Sequence, residues 1–144
     1  MILPDLNLLV YAYNADAPQH REARAWWETV MNGSDAVAMP WMVCHGFIRL
    51  MTHPRVMKLP LRPAEAVEHV RSWIAQPNLH FVEPGSKHLS ILELLLQALG
   101  VAGDMTTDAI LAAIAIEHQC ELHSNDADFT RFHGLRWMNP LAPS

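Results

Sequence analysis

Apolar residues recur along this chain in two patterns, as short runs and as longer stretches with helical spacing. The short runs predict five strands, at residues 1–3, 36–39, 79–82, 121–123 and 135–138. The stretches between them carry apolar residues at helical spacing and predict about seven helices. Strands that alternate with helices in this way are typical of an α/β sandwich with a mainly parallel sheet.

Several helix boundaries are marked by proline and glycine. Pro18 precedes the helix predicted over residues 21–31, and Gly33 follows it. Pro40 opens the helix predicted over residues 41–52, which the turn at His53-Pro54 ends. The other predicted helices cover residues 8–13, 66–75, 88–99 and 109–118, and a short helical turn is expected to begin at Asp126.

Composition narrows the class of protein. The chain has 144 residues, which predicts one domain over 1–144 with a single core. Its hydrophobic content of 51% argues for a globular protein rather than a disordered one. No apolar run approaches the roughly 20 residues that cross a bilayer, and the first residues lack the basic region of a signal peptide. We therefore expect a cytoplasmic protein that does not contact membranes.

Acidic residues stand at three of the predicted junctions. Asp5 follows the first strand, and Asp108 opens an apolar helix that Thr107 is predicted to cap. Asp126 follows the fourth strand, with Asp128 two residues later. Such junctions lie along one edge of a parallel sheet, so we expect the acids to converge. Grouped carboxylates repel each other unless a cation holds them, and oxygen ligands suit Mg²⁺ or Mn²⁺.

Plainer interpretations of the same residues exist. Any one of the acids alone is typical of a helix cap or a turn, and only their coincidence at three junctions favours a shared site. The net charge of −5 predicts no generally basic surface, so a polyanion needs metal ions or a local patch. Nine histidines occur, but none shows the paired spacing of a zinc-protease helix. Four arginines are candidate phosphate contacts, although such side chains are more often solvated: Arg49, Arg55, Arg131 and Arg136.

Four segments taken together carry a resemblance to a known family. They are Pro4-Asp5-Leu6-Asn7, Gly46-Phe47-Ile48-Arg49-Leu50 with Thr52-His53-Pro54-Arg55-Val56, Thr107-Asp108-Ala109 with Ala112-Ala113, and Asn125-Asp126-Ala127-Asp128-Phe129. In this order and at this spacing they resemble PIN-domain proteins, and specifically the VapC toxins of bacterial toxin–antitoxin pairs. Each segment alone is a weak signal, whereas the four together span the whole chain.

The resemblance implies a compact three-layer α/β/α sandwich around a mainly parallel, roughly five-stranded sheet. It also implies endonucleolytic cleavage of RNA that depends on Mg²⁺ or Mn²⁺ and is inhibited by a cognate antitoxin encoded alongside. By position, Asp5, Asp108 and Asp126 resemble the family's catalytic, metal-binding acids. The carboxylates themselves repel RNA, so this reaction needs the metal to screen them.

The resemblance also implies supporting roles for polar neighbours of these acids. Asn7 and Thr107 resemble residues that orient the metal-binding groups. Asp128 is a further carboxylate close to the site, and Asp104, four residues before Asp108, is near enough in sequence to reach it.

The chain departs from the family pattern at one position. Most members carry a glutamate directly before the residue that here is Phe47, whereas this chain has Gly46, as does a branch of VapC-like sequences. The departure leaves open an alternative, a catalytically weak or inactive PIN-like subunit that only binds a partner. A phosphotransfer fold is a further alternative, but it requires an acid pair or an Asp-x-Asp-Thr motif after the first strand, and residues 5–8 have neither.

Leucines at residues 92, 95, 96 and 99 give the helix over residues 88–99 more apolar surface than a small sandwich usually buries. We therefore predict a homodimer built partly from this helix and the helix over residues 41–52, with core packing as the plainer alternative.

Overall fold

The computed structural model describes residues 1–100 and 103–142, and a five-stranded parallel sheet lies at its centre. The strands are β1 (Ile2–Pro4), β2 (Val37–Met39), β3 (Leu79–Phe81), β4 (Glu121–His123) and β5 (Arg136–Met138). Their order across the sheet is β3-β2-β1-β4-β5, and every neighbouring pair is parallel. The predicted α/β architecture is confirmed, with β1 and β4 side by side in the interior of the sheet.

Six α-helices connect the strands within the described residues. They are α1 (Leu6–Tyr13), α2 (His20–Asn32), α3 (Trp41–Met51), α4 (Pro63–Ile74), α5 (His88–Leu99) and α6 (Thr106–Glu117). Two 3-10 helices, Gly103–Met105 and Ala127–Arg131, complete the described elements. None of the helices within residues 1–100 and 103–142 is long and apolar enough to cross a lipid bilayer.

The predicted cap of α6 is wrong. Thr107 does not cap α6, because the helix already begins at Thr106 and Met105 occupies the cap position without a side-chain capping bond. Met105 has a helical backbone, since the turn Gly103–Met105 leads directly into α6, whereas a capping side chain needs an extended residue there. The loop predicted over 100–104 therefore includes part of this turn, and its residues 101 and 102 lie outside the described chain.

The strand order explains the layers. The connections from β1 to β2 and from β2 to β3 run in one direction across the sheet. Those from β3 to β4 and from β4 to β5 run in the opposite direction. Because crossovers between parallel strands are right-handed, α1–α4 cover one face of the sheet, and α5 and α6 cover the opposite face. The contacts agree, since α1 packs on α2 and α3, and α5 packs on α6.

The two faces are packed differently. Beneath α1–α4, aromatic rings fill the core: Trp73 lies 4.7 Å from Phe47 and 5.6 Å from Trp27, measured between ring centroids. On the other face, α6 presents small buried residues at Ala109, Ala112 and Ala113. Small side chains allow α6 to pack closely, and the buried helix fixes the position of its first turn, where the sequence places Asp108.

Candidate active site

The position of Asp5 follows from the pairing of the two interior strands. Pro4 of β1 lies opposite His123 of β4, and the Asp5 amide donates to the His123 carbonyl at 2.8 Å. One residue beyond that pair on each strand, the Ser124 hydroxyl donates to Asp5 Oδ2 at 2.7 Å. Asp5 Oδ1 accepts the Leu6 amide at 2.7 Å and so caps α1. Both oxygens of this carboxylate are thus held in place.

Asp126 lies in the turn after β4. Its amide donates to Ser124 Oγ at 3.0 Å, and its Oδ1 accepts the Asp128 amide at 2.9 Å. Asp126 therefore caps a helical turn as predicted, although that turn is the 3-10 helix Ala127–Arg131. The turn is also attached to β5, because Trp137 Nε1 donates to the Ser124 carbonyl at 3.2 Å.

Ser124 connects the two acids, and the sequence analysis did not identify it. Its side chain is fully buried. The hydroxyl donates to Asp5 and accepts from the Asp126 amide and from Asn7 Nδ2, the last at 3.4 Å. One donor and two acceptor positions are all that a hydroxyl offers. The sequence signal was a serine directly after a predicted strand, which by itself indicates only a turn.

Asp108 occupies the first turn of α6, as predicted. Burial, together with the charges of Asp5, Asp126 and Asp128, raises its pKa to about 6. Burial also raises the pKa of Asp5, with a smaller contribution from the Asp126 charge and partial offsets from its bonds to Ser124 and the Leu6 amide. The charge of Asp126 thus contributes to the raised pKa of both Asp5 and Asp108, as expected for carboxylates in one region.

A cavity of about 340 Å³ lies between α1, α3 and α6, and most of the predicted site residues line it. We call it the acidic cavity. Its polar and charged lining residues are Asp5, Asn7, Arg49, Thr107, Asp108 and Asp126. Asp128 is exposed beside it and acts on it through charge. Asp104 is exposed in the turn before α6 and does not line the cavity.

The donors of the acidic cavity fit a hydrated divalent cation. Asn7 Oδ1 is buried and has no hydrogen-bond partner, so an acceptor oxygen is left over at the cavity. Within the described residues, no three His, Cys, Asp or Glu side chains are grouped closely enough to hold a metal ion by themselves. Mg²⁺ does not require such a cage, because it keeps several waters and binds through one or two carboxylates.

Gly46 lines the acidic cavity from α3 and lies against the side chain of Leu6. A Cβ atom at position 46 would stand 2.5 Å from Leu6 Cδ2, closer than two carbons can approach. The Leu6 side chain therefore lies where a side chain at position 46 would begin. Any larger residue at position 46 requires the end of the Leu6 side chain to move.

Comparison with known proteins gives a consistent result. The model of the PIN domain family matches residues 2–135. Ribonuclease VapC33 of Mycobacterium tuberculosis is 45% identical over 98% of this chain and 99% of its own length. Ribonuclease VapC31 of the same species is 38% identical over 97% of this chain and 99% of its own.

Solved structures share the fold at low sequence identity. VapBC2 from Rickettsia felis, bound to a DNA fragment from its promoter, matches with a TM-score of 0.70 and 18% identity over 96% of this chain and 98% of that chain. The sarcin–ricin loop cleaving toxin VapC20 of Mycobacterium tuberculosis matches with a TM-score of 0.63 and 18% identity, covering 94% and 99% of the two chains. With the family model and the close relatives, these matches show that the chain belongs to the PIN-domain family, among the VapC ribonucleases.

Proposed function

We propose that this protein is the toxin of a toxin–antitoxin module, an endoribonuclease that works with Mg²⁺ or Mn²⁺ held at Asp5, Asp108 and Asp126. The observation that carries the proposal is the acidic cavity, which these three carboxylates line and where burial and the charges of Asp5 and Asp126 raise the pKa of Asp108. The relatives named ribonucleases support the enzymatic assignment. These relatives do not favour the alternative of an inactive partner-binding subunit. Because the proposed substrate is RNA, we expect the protein to act in the cytoplasm.

A bound divalent cation supplies charge to the phosphate and acidifies a water molecule for attack. The protein residues then have positioning roles. Ser124 and the Leu6 amide fix the Asp5 carboxylate, and Asn7, whose Oδ1 has no hydrogen-bond partner, would supply an acceptor beside a bound cation. Thr107 lines the cavity beside Asp108, and Asp128 adds negative charge at its rim. A supporting role is least well supported for Asp104, because this residue does not line the acidic cavity.

A cleavage assay with Mg²⁺ on structured RNA tests the proposal. We expect Asp5→Asn to lower the rate by about 100-fold or more, since the variant loses a charge that holds the cation but keeps its shape. Asp16→Asn is the matched control, because Asp16 is exposed and lies outside the acidic cavity. Equal rates for the Asp5→Asn variant and the wild type would remove the acidic cavity from the reaction.

A cognate antitoxin is the second proposed partner. Solved structures with this fold include a toxin–antitoxin complex from Klebsiella pneumoniae, which matches with a TM-score of 0.64. We expect the antitoxin to place a Lys or Arg in the acidic cavity, where its charge substitutes for that of the cation. Excess Mg²⁺ should then weaken the complex. An affinity that does not change with Mg²⁺ would show that inhibition works by another route.

We also propose that the protein forms a homodimer. Of the α5 leucines named above, Leu95 is buried and the other three, Leu92, Leu96 and Leu99, are half-buried against the core, as the plainer alternative predicts. Leu89 and Leu94 are 75% and 66% exposed, so α5 carries apolar surface that its own core does not cover. Sedimentation should show a dimer at micromolar concentration, and Leu94→Glu should shift it towards monomer. A wild type that sediments only as monomer rules the dimer out.

A further inference from the structure

Exposed side chains form a line along α3 beside the acidic cavity. Trp41, His45 and Arg49 are spaced four residues apart, so they lie on one face of the helix over about 12 Å. All three are exposed. Trp41 stacks on Phe81 with ring centroids 4.3 Å apart and planes 8° apart, and on His45 at 5.8 Å and 28°. We call these four residues the α3 strip.

The α3 strip is continuous with the acidic cavity. Arg49 lines that cavity, while Trp41 and His45 line the cleft next to it, and Met42 contributes to both. Trp41 follows shortly after β2 and Phe81 ends β3. They therefore lie at the same edge of the parallel sheet as Asp5, which follows β1. A chain that enters the acidic cavity from this side must cross the strip.

Arg49 is the only cation among the described residues that line the acidic cavity. No hydrogen bond or ion pair within the described part of the chain engages its guanidinium. Its charge is also not among the causes acting on the pKa of Asp5 or Asp108, so it does not neutralise the acids. The guanidinium is consequently available to an anion that arrives from solution.

We propose that the α3 strip binds single-stranded RNA next to the cleavage site, with Arg49 on a phosphate and an unpaired base added to the stack of Trp41 and Phe81. The inference rests on the proposed ribonuclease function and specifies the form of its substrate. Aromatic faces beside an arginine recognise unpaired bases, which a duplex does not expose. The net charge of −5 makes such a local site necessary, because the protein as a whole repels RNA.

Binding is measured in the Asp5→Asn background, so that the RNA stays intact. The probe is a short fluorescein-labelled single-stranded oligoribonucleotide, followed by anisotropy at several salt concentrations. Arg49→Gln should raise Kd about tenfold and make the salt dependence of log K shallower by about 0.7, the contribution of one phosphate contact. Trp41→Leu should also raise Kd about tenfold, but with an unchanged salt slope, whereas Trp41→Phe keeps the stack and the affinity.

Two variants serve as matched controls. Arg21→Gln removes the same charge from an exposed site on α2 outside the acidic cavity, and Leu89→Ala removes exposed apolar surface from α5. Neither should change Kd or the salt slope. The same oligonucleotide annealed into a duplex should bind more weakly to the Asp5→Asn protein and lose its dependence on Trp41.

The outcomes separate this inference from the proposed function. If the wild type cleaves RNA while Arg49→Gln and Trp41→Leu bind as tightly as their parent, the α3 strip is not an RNA site and the ribonuclease assignment stands. If the wild type does not cleave RNA in Mg²⁺, the proposed function itself fails. If Trp41→Leu converts a dimer into monomers in sedimentation and Arg49→Gln leaves Kd unchanged, the strip is an interface between two copies.

Discussion

The Ser124 hydroxyl donates to Asp5 Oδ2 at 2.7 Å and joins residues 119 positions apart in the chain. The same oxygen accepts the Asp126 amide and Asn7 Nδ2. A single buried atom therefore sets the relative positions of two acids and one amide at the acidic cavity.

Ser124→Ala should destabilise the protein by about 1–3 kcal/mol, because it leaves buried polar groups without partners. The variant also loses the hydrogen bond that lowers the pKa of Asp5, so that pKa should rise and the acid limb of the rate profile should move to higher pH. Urea unfolding and a pH–rate profile measure the two effects.

Thr130→Ala is the control for this substitution. The Thr130 hydroxyl donates to the Ala127 carbonyl at 2.7 Å on the exposed side of the same turn. Its loss should cost less than about 0.5 kcal/mol and leave the pH profile in place. A Ser124→Ala protein with the stability and pH profile of the wild type would contradict the role assigned to this hydroxyl.

Gly46 and Leu6 should show an energetic coupling. In the wild type, Gly46→Ala must displace the end of the Leu6 side chain, which should offset most of the gain of about 1 kcal/mol in helix propensity. In a Leu6→Ala background the crowding is gone, so Gly46→Ala should stabilise by about 0.5–1 kcal/mol. A double-mutant cycle by urea unfolding gives the coupling energy, and additive effects would show that the two side chains do not share this space.

The sequence was sufficient to predict the strands and helices and the position of the acids along one edge of the sheet. The reason is that the periodicity of apolar residues identifies the strands and helices. Asp5 and Asp126 follow predicted strands whose parallel pairing brings their ends to one edge of the sheet. Contacts that depend on side-chain direction could not be obtained in this way. Ser124 becomes significant only through the register of Pro4 with His123, and Leu6 only through its approach to position 46.

Helix starts were the least predictable feature. A threonine before an acid is a typical cap sequence, and it gave a wrong start for α6 because the preceding turn is already helical. Asp104 was assigned to the site from its distance along the chain. The same turn leaves it exposed and away from the lining of the acidic cavity.

The stability of the metal-free protein should depend on pH through Asp108. Its pKa rises from 3.8 to about 6 on folding, so the folded state binds this proton more tightly than the unfolded state. This contribution to stability is complete below about pH 3.8 and is lost as the pH rises through about 6. Asp108→Asn lacks the contribution, so its melting temperature in EDTA should rise relative to the wild type between those values.

Asp16→Asn should show no such trend, since Asp16 is exposed and lies away from the acidic cavity. Mg²⁺ requires the ionised carboxylate, so the affinity of the wild type for Mg²⁺ should increase over the same pH range. A constant difference between Asp108→Asn and the wild type across the range would mean that Asp108 does not carry the shifted proton.

Asp126→Asn should abolish metal-dependent cleavage and yet make the metal-free protein more stable. The side-chain oxygen of the introduced asparagine can still accept the Asp128 amide, so the cap on the 3-10 helix Ala127–Arg131 is kept. The substitution removes a charge that raises the pKa of both Asp5 and Asp108. Two carboxylates about 5 Å apart repel by roughly 3 kcal/mol at an effective dielectric near 20, before screening by salt.

A gain of about 0.5–2 kcal/mol in EDTA is therefore expected for Asp126→Asn at neutral pH, where the acids are ionised. In millimolar Mg²⁺ the order should reverse, because cation binding stabilises the wild type by mass action and the variant much less. Thermal melts of both proteins under the two conditions decide the matter. If Asp126→Asn melts below the wild type in EDTA, the carboxylate serves the turn rather than the cation. The repulsion inferred from the raised pKa of Asp108 would then have to come from Asp5 and Asp128.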